Sequence, residues 1–415
     1  MLNDKKYYGE VWLTGQEDKR CFCIMTIIDN DVQLETNLYS RSVVYKQLEI
    51  QGEFTGLGYI TFVDCTILKS ESGMIEMRVY GPKYTFINVH RPKVENDIAF
   101  NKFKVTNDAI VDWVDNMTGY NSEEEKLEKE DDVKDEIRID GIGLTLTIQH
   151  SLNYRARRKE LTFNNVGYVT FESDQPITIL KSIDLYNDFQ KILHLIVSKS
   201  KQFAYYGFEC RSCKKWANIY YNDKKYAKSN NSFIHIKYDE VKEDLPILFS
   251  AIYTNEKFNF CIEKLMENLL SRQISHNKRF TNSISTFEAF GKLYSGLKQN
   301  NLKKFLHHYS GLFGLLGKIK KEDFKSFASK IVRSRNYHVH SNLDNKNIFT
   351  EFELLYIALL MDFVVVYGLF LELKVSEGLL EKITMKCQSV YVGMQQTNRI
   401  LNADPLRDSE NKKPK

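Results

Sequence analysis

Two arginines, an asparagine and two histidines crowd into eight residues near the end of Phe327-Ala-Ser-Lys-Ile-Val-Arg-Ser-Arg-Asn-Tyr-His-Val-His-Ser341. These side chains can carry phosphate chemistry without a metal. Arginine is a fixed positive fork that matches phosphate oxygens. Histidine moves protons near neutral pH. An amide offers one donor group and one acceptor.

Periodicity separates the two arginines. Phe324, Phe327, Ala328, Ile331 and Val332 recur at helical spacing and define an apolar face. Arg335 lies four residues after Ile331 and continues that face, so it must be paired, line a cleft or meet a partner. Arg333 points nearly the other way and reads as a solvated charge. His338, three residues after Arg335, would share its face in a regular helix. His340 would be rotated off that face by about 140° and converges with Arg335 only if the helix ends or distorts nearby. Ser341-Asn-Leu-Asp-Asn-Lys-Asn347 has the composition of a turn. Geometry alone slightly favours His338.

The run Arg335-Asn336-Tyr337-His338-Val339-His340 resembles the Arg-Asn-x3-His signature of HEPN ribonucleases, and more narrowly that of the ApeA-like bacterial defence proteins. The resemblance implies catalytic roles for Arg335, Asn336 and His340, with His338 as an accessory. Ser285-Thr-Phe-Glu-Ala-Phe290 is similar to the start of that family's helical bundle. Glu288 within it is either a surface charge paired with a lysine or a group that orients Arg335. The resemblance further implies a metal-independent endoribonuclease with no cofactor and a homodimer formed through the HEPN domain. It also implies an unknown phage-derived trigger and arrest of the host through RNA damage. The competing class is a basic helical module that binds nucleic acid or protein without catalysis.

Charge is distributed as a polyanion partner would require. The formal net charge is only +4, yet residues 251–415 hold 25 Lys+Arg against 16 Asp+Glu. Between Lys257 and Arg335 the balance is 16 against 5, so the positive excess surrounds the Arg/His cluster.

The elements that must position these residues follow from length and period. A chain of 415 residues is too long for one ordinary domain. Tyr8–Trp12, Arg20–Ile28, Tyr59–Ile67 and Met77–Tyr80 are short runs rich in β-branched and aromatic residues. They predict a β-rich N-terminal domain, sandwich or barrel-like, over 1–120. Residues 121–136 carry an acidic block, with nine acidic and three basic residues between Ser122 and Glu136, and read as an exposed mobile loop.

A second β-rich part follows over 137–245, with strands at Ile137–Asp140, Leu144–Ile148, Glu160–Phe163, Gly167–Glu172, Ala217–Tyr221 and Ser232–Lys237. It contains one helix, from Ser182 to about Lys201. Residues 246–400 form an all-α bundle: Phe258–Leu270, Ser283–Leu297, Asn301–Leu316, Lys321–Arg335 and Phe349–Val375 show long apolar stripes. A disordered tail is expected over 401–415. The fold class is therefore α+β and multidomain, a β-rich region followed by a HEPN-like helical bundle.

Several classes are excluded or left weak. The N-terminus has no signal-peptide pattern, and seven scattered cysteines suit a reducing cytoplasm. Leu354–Leu371 is apolar enough to mimic a membrane span but contains Asp362 and reads as a buried core helix. Cys210 and Cys213 are half of a zinc site that Cys21 and Cys23 could complete; two ordinary thiols are the simpler reading. No phosphate loop, His-Glu-x2-His run or Gly-x-Ser-x-Gly elbow is present.

Overall fold

The computed structural model describes residues 5–28, 31–38, 48–71, 73, 76–87, 99–114, 119–121, 126–128, 133–157, 160–197, 205–209, 216–221, 235–270, 274–298, 301–340 and 347–402. They divide into two compact units: residues 1–187 with 199–230, and residues 188–198 with 231–415.

The first unit is antiparallel β structure. Strands β1 (Lys5–Leu13), β2 (Cys21–Ile28), β3 (Asp31–Thr36), β4 (Leu48–Phe54), β5 (Gly58–Glu71) and β6 (Met77–Gly81) close into a barrel in the order β5-β4-β1-β2-β3-β6, with β6 returning to β5. Alternation drives the closure. Cys23, Met25 and Ile27 of β2 face Val32 and Leu34 of β3, Val11 of β1 and Phe62 of β5 across a dry interior, while the intervening residues face outward. Closure also needs β5 to serve two neighbours in succession. Its first half pairs with β4 and with β7 (Tyr84–Ile87), its second half with β6. Asp64, at the changeover, adopts the left-handed region (φ 55°), a conformation aspartate tolerates better than most residues.

From β7 the same sheet continues through β15 (Trp216–Tyr221), β14 (Tyr205–Glu209), β8 (Ala99–Thr106), β13 (Glu160–Thr178), β12 (Leu144–Arg157) and β11 (Val133–Ile139). One face is apolar: Phe103 of β8 stacks on Phe171 of β13 with ring centroids 4.4 Å apart. The short helix α1 (Asp108–Trp113) lies so close to β13 that a Cβ on Gly167 would come within 2.8 Å of Val114. The acidic block is not all loop. Strand β10 (Lys126–Glu128) pairs with β9 (Gly119–Asn121), and β11 begins at Val133, since ladder hydrogen bonds use only the backbone and do not depend on side-chain charge. The expected strand at Ser232–Lys237 is absent over its described part, His235–Lys237.

The second unit is helical. Helix α2 (Ile179–Ile196) contributes its last turns, and α3 (Leu245–Thr254), α4 (Glu256–Leu269), α5 (His276–Tyr294), α6 (Leu302–His308), α7 (Ser310–Gly317), α8 (Lys321–His340), α9 (Glu351–Leu373) and α10 (Glu377–Asn402) follow. Helices α3 and α10 lie in stretches the periodicity left unassigned, and the helix expected over Asn301–Leu316 is broken at Tyr309 into α6 and α7. Helix α9 is long and apolar enough to cross a membrane, with a mean hydropathy of 2.4 over its richest 18 residues, but 78% of that window is buried within the structure. It is the central helix of the unit, packed on α5, α7 and α10. The chain is thus α+β, a β-rich region followed by a helical one. Of the expected tail, Leu401 and Asn402 end α10, and residues 403–415 lie outside the described residues.

Candidate active site at the end of helix α8

Helix α8 is anchored one turn before its chemistry begins. Ala328, Ile331 and Ser334 are fully buried along its inner face. Ser334 Oγ accepts a hydrogen bond from the backbone N–H of Phe349 at 2.9 Å, tying α8 to the residues that lead into α9. Thr350 and Glu353 form a capping box at the start of α9: Thr350 Oγ1 accepts from the Glu353 N–H, and the Glu353 carboxylate accepts from the Thr350 N–H at 2.8 Å. The same carboxylate binds Lys330 of α8 at 3.2 Å, and the Lys330 ammonium lies 4.4 Å over the Phe349 ring. Serine, threonine and glutamate together fix the azimuth of α8.

That azimuth differs by one residue from the sequence reading. The buried position is Ser334, which turns Arg335 to the border of the packed face with 27% of its side chain exposed. Arg335 Nη2 lies 3.6 Å from Glu288 Oε2 of α5, and Arg335 Nη1 donates to Asn336 Oδ1 at 3.4 Å. The structure therefore brings together Arg335, Asn336 and Glu288, three of the five residues singled out from the sequence. Both contacts are long, and the Glu288 side chain is 30% exposed, so the guanidinium keeps access to solvent. Arg333 is not simply solvated: it is half-buried, and its Nε is enclosed without a hydrogen-bond partner.

The histidines part company. His338 packs edge-on to Phe280 of α5 and to Tyr337, with centroids 6.5 and 5.0 Å away. Its Nε2 is enclosed without a partner, and burial lowers its pKa below the usual imidazole value. His340 is the last residue of α8, and the helix is regular up to it. In an unbroken helix a residue five positions on is rotated by about 140°, so backbone positions 335 and 340 fall on different faces of α8. The helix end that would bring them together falls at His340, not before it.

The thiols give little support to a metal centre. Cys23 is fully buried inside the barrel, where desolvation pushes its thiol pKa far up, and Cys210 and Cys213 lie outside the described residues. Among the described residues no cluster of three or more metal-binding side chains forms.

Comparison with known families bears on the same geometry. Residues 6–251 match the family model described as ApeA N-terminal domain 1, and residues 220–379, which include the whole of α8, match the one described as Apea-like HEPN. The chain belongs to the ApeA-like HEPN family. It is accordingly a HEPN-domain defence protein, and the helical unit that carries Arg335 is its HEPN part. No curated protein and no solved structure matches the chain.

Sequence reasoning found the Arg335 motif and its acidic neighbour but missed the residues that hold α8 in place. Thr350-Glu-Phe-Glu353 carries a capping-box spacing that was legible in principle. Ser334 gave no comparable signal.

Proposed function

We propose that this ApeA-like HEPN protein is a metal-independent endoribonuclease that cuts RNA during anti-phage defence. RNA brings its own nucleophile, the 2′-hydroxyl, so the protein has only to align it with the neighbouring phosphorus. Arg335 stabilises the charge that gathers on the phosphoryl oxygens, and Asn336 holds the phosphate. His340 takes the proton from the 2′-oxygen or delivers one to the departing 5′-oxygen. The products are a 2′,3′-cyclic phosphate and a 5′-hydroxyl.

The observation that carries this reading is the placement of Arg335. Its side chain is 27% exposed, with the Glu288 carboxylate at 3.6 Å and the Asn336 amide oxygen at 3.4 Å, near the end of a firmly anchored helix in a HEPN domain. Because position 340 is five residues along a regular helix from Arg335, the complete site joins Arg335 of one copy to His340 of a second in a twofold dimer. The β-rich unit serves as sensor or regulator, the trigger comes from the phage, and the protein acts in the cytoplasm.

The test uses cells carrying the full chain, challenged with phage, and purified protein incubated with total RNA in EDTA. Wild type should produce RNA ends with cyclic phosphates, and Arg335→Ala and His340→Ala should not. Mixing the two inactive variants should restore part of the activity through mixed dimers. Cleavage by Arg335→Ala at the wild-type level would overturn the assignment, and binding of RNA without any cutting would favour a non-catalytic module.

A further inference from the structure

The most apolar helix of the protein carries a carboxyl group at its centre. Asp362 of α9 is fully buried, as are its two neighbours, Asn268 of α4 and Ser283 of α5. Asn268 Nδ2 spends both hydrogens here, one on Ser283 Oγ at 2.7 Å and one on Asp362 Oδ2 at 2.9 Å. Ser283 also hydrogen-bonds to Asp362. Two oxygens are left over. Asn268 Oδ1 and Asp362 Oδ1 are both enclosed, and neither has a donor. Two unpartnered acceptors facing a buried core are costly, and a native fold rarely tolerates them.

A single proton satisfies both. When an amide N–H points at one oxygen of a carboxyl group, the amide oxygen is placed to accept from a hydroxyl on the other. We infer that Asp362 is carried as the neutral acid and closes a cyclic acid–amide pair with Asn268, locking α4 and α9 onto α5. The charged group that acts on it is Arg279 of α5, which favours the carboxylate. Arg279 makes no direct bond to it through Nε, which is enclosed and unpartnered. Among the described residues, α3, α7 and α10, which also pack on α9, bring no ionisable group to bear on the carboxyl. Burial outweighs the arginine and raises the Asp362 pKa to about 7.

Asp362 is thereby a positioning residue. Helix α5 bears Ser283 and, five residues on, the Glu288 that holds Arg335. Loss of the proton leaves both enclosed oxygens without a donor and loosens the helix that orients the guanidinium.

The sign of the pH effect follows from linkage. An unfolded aspartate releases its proton near pH 3.9. The folded protein holds it to about pH 7, so the contribution is full below the lower value and is lost as pH rises toward the upper one. Above that it is constant.

The experiment is urea unfolding of the full chain across this range, comparing wild type with Asp362→Asn and Arg279→Gln. An asparagine at 362 supplies N–H where the acid supplies O–H, so it keeps the ring at every pH. The wild-type midpoint should fall relative to Asp362→Asn through the window and then run parallel to it. Arg279→Gln should leave the midpoint at the acidic end unchanged. The infrared spectrum of wild type should show a protonated-carboxyl band that Asp362→Asn lacks. A pH-independent difference between wild type and Asp362→Asn would overturn the inference. So would equal loss in Asp362→Asn and Arg279→Gln, the sign of an ionised pair. The link to Arg335 rests on the nuclease reading: Asp362→Asn should keep RNA cleavage and Asp362→Leu should lose it. The unfolding and infrared results need no RNA, so failure of either idea can be told from failure of the other.

Discussion

The two units treat their arginines differently. In the β-rich unit Arg20 is answered by three carboxylates, Glu10, Glu17 and Glu53, at 2.9–3.3 Å, and lies 4.6 Å over the Trp12 ring. Arg138 is answered there by Asp140 and Asp174. In the helical unit Arg335 sits at the border of a packed face, with the Glu288 carboxylate at 3.6 Å and the Asn336 amide oxygen at 3.4 Å, while Arg279, Arg333 and His338 each keep an enclosed nitrogen without a partner. A guanidinium already saturated by acids has little to offer an incoming phosphate. One whose carboxylate lies at 3.6 Å on a partly exposed face is better placed to meet one. Positive charge alone does not distinguish the two; the distance and exposure of the opposing acids do.

The sharpest way to break this contrast is to remove one arginine from each unit. Arg335→Ala should lower RNA cleavage by about 10²–10³-fold or more, the cost of losing a group that meets developing charge, with little change in melting temperature. Arg20→Ala should leave cleavage where it was. Equal losses from both would mean that global stability, not chemistry, is being read.

A smaller effect should come from the anchor of α8. Ser334→Ala strands the buried Phe349 N–H and should destabilise the helical unit by about 1–3 kcal/mol, measured as a shift in the urea midpoint. If the midpoint is unmoved, α8 owes its azimuth to apolar packing and the Lys330–Glu353 pair instead.

The smallest of the set is Glu288→Gln. Its contact with Arg335 is long and partly exposed, so the expected loss of cleavage is at most about tenfold. A loss as large as that of Arg335→Ala would make Glu288 a participant in the reaction and not an orienting neighbour.

Some of this architecture could be read directly. Runs rich in β-branched and aromatic residues such as Arg20–Ile28 and period-3.6 stripes such as Phe324–Val332 separated β structure from helices, because residue type and spacing are local signals. The barrel closure could not be read, since it depends on β5 changing partners at Asp64 and on β6 joining both β3 and β5. The C-terminal end of α8 was also hidden. The apolar stripe suggested an end near Arg335, but the helix continues to His340.

The sequence by itself determined which residues are equipped for phosphate chemistry and that they end an amphipathic helix, because side-chain type and spacing are local properties. Only the tertiary structure decided that Ser334 and not Arg335 is the buried position, and that Glu288, 47 residues earlier, faces the guanidinium. It alone gave Asp362 an amide partner 94 residues away. Hydrogen bonds and ion pairs across such separations are set by how helices pack, and packing leaves no short-range trace in the order of residues.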